Sequence, residues 1–309
     1  MEEIVVIVGP TCSGKTFLSL TLAELVDGEI ISADSRQMYK LLDIGTAKPS
    51  TDQLKKVKHH FVDELDPDAD FNASKFAENA KDIFAALIEQ HKIPIVVGGS
   101  GLYIKALIDG ITESADTNTE LRQELLEQRK KFGDDFLYAE LKKVDKISAD
   151  KMLPQNWKRV MRALEVFRLT GEPIWHHHSL NKRNSRFQYR QIGLLWDRKI
   201  LYCNIETRVD EMINSGLVEE VKLILKSGYD KSINSLNTVG YKEIIQYLDN
   251  IVSLDRAIEL IKRNTRRYAK RQMTWFNADK RIDWIQISSL EDLELLAEKL
   301  AKEINERKN

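Results

Sequence analysis

The sequence is poor in cysteine, has almost no net charge and contains no long apolar run. Its 309 residues include two cysteines, Cys12 and Cys203, in no paired motif, which excludes a disulfide framework and favours a reduced, cytoplasmic protein. No apolar run approaches the ~20 residues that span a bilayer, and no leader pattern precedes the first apolar segment, so no membrane partner is expected. The 47 basic and 48 acidic residues nearly cancel, so binding to nucleic acid would need local basic patches.

A phosphate-binding motif follows the first apolar run. Residues 9–16 match the pattern G-x-x-x-x-G-K-[ST] at every fixed position, between Ile4–Val8 and an apolar-periodic segment. A glycine loop between a strand and a helix directs several backbone N–H groups and the positive end of the helix dipole at one point. Lys15 can then reach the outer phosphate, and the Thr16 hydroxyl can hold Mg²⁺. The predicted diphosphate-binding residues are Gly9, Pro10, Thr11, Cys12, Ser13, Gly14, Lys15 and Thr16.

Short β-rich apolar runs recur along the chain, with helical segments between them. The runs are Ile4–Val8, Glu29–Ser32, His60–Val62, Ile93–Val97, Gln191–Trp196 and Arg281–Ile287. Because apolar and polar residues do not alternate strictly, the strands are expected to be buried on both faces of a doubly wound parallel α/β sheet. The interval between the fourth and fifth runs is instead helical and highly charged. We therefore predict a P-loop core of residues 1–113 and 191–309 and a helical insertion domain of residues 114–190.

Two strand ends carry the candidate catalytic groups. Asp34 follows the second run, and ligands bind at strand ends in open α/β sheets. Its carboxylate can be a general base or a Mg²⁺ acceptor, although capping of the next helix explains it equally well. The fourth run ends in Gly98-Gly-Ser-Gly101, where a P-loop NTPase usually places a carboxylate. We interpret these glycines as admitting a bulky ligand close to the backbone, and the missing acid disfavours simple ATP hydrolysis.

Residues 258–276 predict a long helix with two distinct faces. One arc carries Ile258, Ile261, Thr265, Tyr268, Gln272 and Trp275, and the opposite arc carries Lys262, Arg263, Arg266, Arg267, Lys270 and Arg271. Because no acid lies between Glu259 and Asp279, the cations are expected to lack partners and to repel one another. A phosphate-rich ligand would relieve that repulsion. The pattern therefore favours nucleic-acid binding over its ordinary meaning, a solvated face of a packed helix.

Seven motifs together resemble the tRNA dimethylallyltransferases, also called tRNA isopentenyltransferases. In chain order they span residues 9–16, 31–39, 43–49, 97–103, 162–166, 239–243 and 270–276. The resemblance covers about residues 4–287. It implies that a dimethylallyl group passes from dimethylallyl diphosphate to N6 of the adenine 3′ of the anticodon, in tRNAs that read codons beginning with U. Pyrophosphate would leave with the help of Mg²⁺.

The resemblance also implies roles for individual residues. Asp34 would be the general base, while Lys15 and Mg²⁺ near Thr16 would stabilise the departing pyrophosphate. Ser100 and Arg122 match family positions near the reacting groups. The target adenine would be everted from its stacked loop, and a monomer would suffice for one tRNA. The implied tRNA-binding residues are Asp34, Ser35, Arg36, Gln37, Lys158, Arg159, Val160, Met161, Arg162, Lys270, Arg271, Gln272 and Trp275.

Two other functions agree with part of the sequence. A P-loop kinase of small metabolites would explain residues 9–16 and Asp34, but neither the basic helix nor the missing acid after the fourth run. A non-catalytic, nucleotide-gated RNA-binding module would explain the basic helix, but it would leave Asp34 without a role.

Overall fold

A computed structural model describes residues 2–110, 118–179 and 186–308, without the side chains of His178, Ser179 and Lys308. The chain divides into two compact units. The core unit comprises Met1–Ile108 and Ser185–Asn309, and the insertion unit comprises Asp109–Asn184. The sequence placed the corresponding divisions after residues 113 and 190. Within the described ranges, every helix is too short or too polar to cross a membrane.

The core unit contains a six-stranded parallel sheet, as the sequence predicts. The strands are β1 (Glu2–Val8), β2 (Gly28–Ser32), β3 (His59–His60), β4 (Ile93–Gly98), β5 (Phe187–Trp196) and β6 (Ile282–Ile287). Their order across the sheet is β3-β2-β4-β1-β5-β6, and every pair is parallel. The third strand is shorter than its predicted run, because Phe61 has a φ of 61° and Asp63 a φ of 60°. Such left-handed backbone cannot continue a strand.

Fourteen helices accompany the sheet in the described residues. They are α1 (Lys15–Val26), α2 (Thr51–Lys56), α3 (Ala73–Glu89), α4 (Gly101–Asp109), α5 (Thr119–Phe132), α6 (Asp134–Val144), α7 (Lys146–Ala149), α8 (Trp157–Thr170), α9 (Ile174–Ser179), α10 (Arg198–Asn214), α11 (Leu217–Lys226), α12 (Tyr241–Leu248), α13 (Leu254–Asn277) and α14 (Leu290–Lys308). Helices α5–α9 belong to the insertion unit.

The middle of the sheet determines where a ligand can bind. From β1 the chain passes to β2 and β3 on one side of the sheet, and after β4 it passes to β5 and β6 on the other side. The carboxyl end of β1 therefore lies where the strand order reverses, which is the usual ligand crevice of open α/β sheets. Helices α1 and α14 cover one face there, with Leu18, Leu22, Leu296 and Leu300 buried against β1.

The insertion unit has its own apolar core. Leu125 of α5, Leu137 and Leu141 of α6, and Val160 and Leu164 of α8 are almost completely buried together. The amphipathic spacing of these leucines and valines predicts such packing. The sequence predicts helices over residues 119–131, 135–143 and 156–169. The observed helices α5, α6 and α8 begin and end within one residue of these bounds, the margin by which helix ends ordinarily vary.

Candidate active site

The loop of residues 9–16 joins β1 to α1 at this crevice. It needs unusual backbone angles, since φ is 151° at Gly9, 61° at Cys12 and 82° at Gly14. A side chain at Gly14 would also place its Cβ 2.4 Å from Leu293 Cδ1 of α14. Two side chains from elsewhere hold the loop: Trp196 Nε1 donates to the Ser13 carbonyl at 2.9 Å, and Gln272 Oε1 accepts from the Thr11 N–H at 2.9 Å.

Lys15 is a desolvated cation within the loop. Its Nζ donates to the Pro10 carbonyl at 2.6 Å. Burial lowers the pKa of Lys15 from 10.5 to about 8, and the nearby Arg208 lowers it further, whereas Cys12 and Asp34 act in the opposite direction. An ammonium held in this way gains strongly from a bound anion, because the anion replaces the lost solvation.

Arg208 is a second cation at the loop that the sequence analysis did not identify. It lies on α10, and its Nη1 donates to Cys12 Sγ at 3.8 Å. No motif marks it, because it stands among the acids Glu206, Asp210 and Glu211. The only signal available was its place in the helix after β5, the strand beside β1. Lys15 and Arg208 together make this end of the sheet suitable for a diphosphate.

Asp34 lies at the carboxyl end of β2 and is half-buried. Its Oδ1 accepts from the Arg36 N–H at 2.8 Å and from the Gln37 N–H at 3.4 Å. This oxygen closes a turn of residues 34–37 and caps no helix, because the next helix begins at Thr51, so the capping interpretation is wrong. Among the described residues Oδ2 accepts no hydrogen bond, so it remains available to a ligand. Ser100 Oγ accepts from the Ser35 N–H at 3.0 Å, which fixes the segment that follows Asp34 to the end of β4.

The glycines at the end of β4 are required by close contacts inside the protein. A Cβ at Gly98 would lie 2.2 Å from the Ala33 carbonyl oxygen, and one at Gly99 would lie 2.2 Å from Gln272 Nε2. A Cβ at Gly101 would lie 2.3 Å from Trp275 Cδ1. The glycines therefore admit the backbone of the neighbouring strand and side chains of α13. Gly99 and Gly101 also line the cavity beside Asp34, so the interpretation that these glycines admit a ligand stays a prediction.

Helix α13 is basic, as predicted, but two of the six cations expected to lack partners are paired. Lys262 pairs with Asp210 at 2.6 Å and Arg266 with Glu206 at 2.6 Å. The expectation that the whole set lacks partners is wrong, because α10 supplies acids that the helix itself lacks. Arg267, Lys270 and Arg271 are exposed.

Gln272, which was among the residues implied to bind tRNA, makes its observed hydrogen bonds inside the protein. It is buried, and its Nε2 donates to the Gly99 carbonyl at 2.9 Å. Since its Oε1 holds the Thr11 N–H, both ends of the amide are used inside the protein. Gln272 thus links α13 to the P-loop and to the end of β4.

Beside Asp34, a cavity of about 470 Å³ opens between the strand ends and α13. Aromatic and cationic groups line it, namely Arg36, Tyr103, Tyr268, Arg271 and Trp275, together with the hydroxyl-bearing Ser100. Burial and the charge of Asp34 raise the pKa of Tyr268 to about 12, so the phenol stays neutral and can donate a hydrogen bond. Trp275 is 40% exposed although the sequence placed it on the apolar arc, and flat exposed rings suit stacking against a base.

The remaining predicted residues lie in the insertion unit. Lys158 and Arg159 are exposed on α8, but Val160 is completely buried, which excludes an RNA contact of its side chain. Met161 is half-buried against the core of the unit. Val160 and Met161 belong to the apolar stripe of α8, and their packing in the core of the unit explains both side chains.

Arg122 and Arg162 converge on the buried carboxylate of Glu165. Arg122 Nε donates to it at 2.9 Å, Arg162 Nη1 at 2.7 Å and the Asn118 N–H at 3.1 Å. Burial raises the pKa of Glu165, but these hydrogen bonds together lower it below the ordinary carboxyl value. Both arginines remain partly exposed, so the pairing orients them without removing them from the surface.

The crevice thus defines a P-loop α/β protein whose anion-binding loop faces a carboxylate and an aromatic cavity. The chain belongs to the IPP transferase family, whose model matches residues 37–279. It is 44% identical over 303 residues to a tRNA dimethylallyltransferase of Alkaliphilus oremlandii, covering 98% of this chain and 97% of that protein. A tRNA dimethylallyltransferase of Acetivibrio thermocellus is 45% identical over 288 residues, with 92% of each chain covered.

Solved structures show the same similarity. The full-length tRNA isopentenylpyrophosphate transferase of Bacillus halodurans superposes with a TM-score of 0.72 at 35% identity, covering 100% of this chain and 98% of that chain. A eukaryotic dimethylallyltransferase acting on tRNA gives a TM-score of 0.81 at 27% identity, covering 94% of this chain and 75% of that chain. These similarities extend over both the core and the insertion units.

Proposed function

We propose that this protein is a tRNA dimethylallyltransferase. It transfers a dimethylallyl group from dimethylallyl diphosphate to N6 of the adenine 3′ of the anticodon, in tRNAs that read codons beginning with U, and releases pyrophosphate. The observation that carries the proposal is the placement of Asp34, with one oxygen unused, beside both the P-loop cations and an aromatic cavity. The relatives that act on tRNA support the same reaction.

The loop and its cations hold the leaving group. As the allylic C–O bond breaks, negative charge grows on the pyrophosphate. Backbone N–H groups of residues 12–16, the Lys15 ammonium and the Arg208 guanidinium stabilise that charge. Their desolvation before binding makes the interaction stronger than it would be in water.

A Mg²⁺ ion would fit at Thr16. Thr16 lies in the first turn of α1 and is half-buried, and its hydroxyl makes no hydrogen bond within the described residues. The nearby Ser13 hydroxyl is buried without a partner among the described residues. Mg²⁺ binds few protein oxygens and takes its other ligands from water and phosphate, so one or two hydroxyls suit it. When bound, the ion supplies positive charge against the developing charge of the pyrophosphate.

Asp34 receives the proton of the attacking amine. The adenine N6 is a poor nucleophile because its lone pair is delocalised into the ring. A carboxylate oxygen that accepts its N–H aligns the remaining lone pair with the allylic carbon and takes the proton as the C–N bond forms. The everted base would occupy the aromatic cavity, stacking on Tyr268 or Trp275, with Arg36 and Arg271 close to its phosphates.

One copy of the chain carries every group that this reaction needs, so we propose that the protein works as a monomer. Exposed Arg267 and Lys270 on α13 and exposed Lys158 and Arg159 on α8 supply phosphate contacts within their own units. A kinase of small metabolites is not favoured, because glycines packed against α13 occupy the place of the expected carboxylate at the end of β4.

The test uses labelled dimethylallyl diphosphate with unmodified tRNA, and γ-labelled ATP in parallel. The protein should label tRNA from the prenyl donor. Asp34→Asn should lower kcat at least about 100-fold, since a general base contributes that much, while the KM for the donor stays within about twofold. Asp52→Asn, an exposed aspartate of the same unit, serves as the matched control and should behave as the parent. Phosphoryl transfer without prenyl transfer would refute the proposal.

A further inference from the structure

Glu220 joins two sequence motifs that the reaction described above leaves without a role. The motifs are residues 43–49 and residues 239–243. Glu220 Oε2 accepts from the N–H groups of Asp43 at 3.1 Å and Ile44 at 2.6 Å. Its Oε1 accepts from the Gly45 N–H at 3.1 Å and from the Tyr241 hydroxyl at 2.6 Å. Four donors, none of them a cation, thus converge on one carboxylate.

The contact fixes the loop of residues 43–47 against α12. A Cβ at Gly45 would lie 2.4 Å from the Tyr241 ring, so the backbone is pressed directly onto that aromatic face. Tyr241 is completely buried. Three consecutive backbone N–H groups directed at one anion form a concave site that a carboxylate fills well. The loop is therefore held from α11 and α12 in addition to its own turn hydrogen bonds, such as that from the Ala47 N–H to the Ile44 carbonyl at 3.0 Å.

The same loop holds the Gln37 side chain, and the Gln37 N–H contacts the proposed general base, Asp34. Gln37 Nε2 donates to the carbonyls of Thr46 at 3.3 Å and Ala47 at 3.1 Å. Its Oε1 accepts from the Ser32 hydroxyl at 3.1 Å. The Gln37 N–H donates to Asp34 Oδ1 at 3.4 Å. Glu220 is thus connected to Asp34 through hydrogen bonds joined by the backbone of the loop and by Gln37 itself.

We infer that Glu220 is a positioning residue for Asp34, acting through the loop of residues 43–47 and Gln37. The effect of Glu220 on catalysis rests on the proposed function. The claim that Glu220 holds the loop and Gln37 in place does not depend on it. It also gives Gln37 a role other than the tRNA contact that the resemblance implies. Both polar ends of its side chain are engaged inside the protein, so its contribution is to hold the Asp34 carboxylate in place.

Glu220→Gln is the informative substitution because it preserves shape. Each oxygen of the carboxylate accepts from two donors, so the amide NH₂ must face two donors whichever way the side chain lies. With the NH₂ group toward Oε2, the two backbone N–H groups bound there lose their acceptor. With the NH₂ group toward Oε1, the Tyr241 hydroxyl can turn and accept, but the Gly45 N–H loses its acceptor. Glu219→Gln is the matched control, because Glu219 is the exposed neighbour on the same helix and its contact is a 3.7 Å pair with Lys222. Tyr241→Phe removes one donor only and gives an intermediate case.

The first measurement is hydrogen–deuterium exchange in the protein alone, which requires no activity. Glu220→Gln should raise exchange at the amides of residues 43–45 and at the Gln37 amide, and leave the P-loop amides unchanged. Tyr241→Phe should show a smaller rise, and Glu219→Gln none. If exchange at Gln37 is unchanged in Glu220→Gln, the inference is refuted whether or not the protein transfers a prenyl group.

The second measurement separates positioning from general destabilisation. Glu220→Gln should lower kcat for prenyl transfer about 10- to 100-fold, the cost of a small misplacement of a catalytic group, with the KM for the prenyl donor unchanged. In the Gln37→Ala variant, adding Glu220→Gln should lower kcat little further, because the hydrogen bonds that connect the loop to Gln37 are already absent. Independent, multiplicative losses would refute the route through Gln37. Absence of prenyl transfer in the parent protein would instead refute the proposed function.

Discussion

Replacing Lys15 should make the free protein more stable while it removes donor binding. The fall of the pKa from 10.5 to about 8 means that folding around the charged lysine costs about 3 kcal/mol. Lys15→Met keeps the apolar stem and removes the charge, but it loses the hydrogen bond to the Pro10 carbonyl, which is worth about 1 kcal/mol. The variant should therefore be more stable than the parent by about 2 kcal/mol at pH 7.

The pH dependence of this difference follows from the direction of the pKa change. The folded pKa lies below the unfolded one, so between pH 8 and pH 10.5 the unfolded parent binds more protons than the folded parent. The parent therefore gains stability as the pH rises through that window. The advantage of Lys15→Met should be full below pH 8 and close to zero near pH 10.

Urea denaturation of the parent, Lys15→Met and the control Lys55→Met at pH 7 and pH 10 tests this reasoning. Lys55 is exposed, so Lys55→Met should change the urea midpoint by the same amount at pH 7 and at pH 10. Donor binding, measured by titration with dimethylallyl diphosphate at pH 7, should weaken at least about 10-fold in Lys15→Met, because a charge-assisted contact is lost. A less stable Lys15→Met at pH 7, or a difference that is equal at both pH values, would show that Lys15 is not desolvated.

Three further substitutions have definite expected outcomes. Arg208→Gln should raise the KM for the diphosphate donor about 10-fold and leave the Kd for tRNA unchanged, and equal weakening of both would contradict its place at the P-loop. Glu165→Ala should destabilise the insertion unit by about 3 kcal/mol at pH 7, since Arg122 and Arg162 lose a buried partner. Because the folded pKa of Glu165 is depressed, this contribution should disappear as the pH falls through that folded pKa, and thermal unfolding at several pH values checks it. Gly98→Ala should lower stability by about 1–3 kcal/mol, as its Cβ would lie 2.2 Å from the Ala33 carbonyl, and an unchanged melting temperature would count against that packing.

The parts of the site that could be predicted are those written in contiguous residues. A P-loop needs glycines at fixed spacing because its backbone angles are local, and Lys15 and Thr16 come with the same segment. Asp34 was identified for a similar reason, since a strand end in a parallel sheet faces the ligand crevice wherever the strand occurs. The extent of β3 could not be predicted, because the left-handed angles of Phe61 and Asp63 carry no strong residue signal.

Contacts between distant segments could not be read from any single stretch. After Glu259 the sequence of α13 contains no acid, yet Glu206 and Asp210 of α10 pair with two of its cations. The glycines at the end of β4 indicated a close approach, but only the fold shows that Gln272 and Trp275 make it.

The sequence by itself therefore determined the parallel α/β core, the anion-binding loop, the carboxylate across from it and, through its ordered motifs, the family. These properties depend on short-range backbone geometry and on apolar periodicity, which a linear pattern records directly. Only the tertiary structure brought Arg208 to Cys12, placed Gln272 between the P-loop and β4, and directed Glu220 at the backbone of residues 43–45. Each of these contacts joins residues more than about 100 positions apart, at separations where no local conformational preference acts and packing of whole elements decides which groups meet.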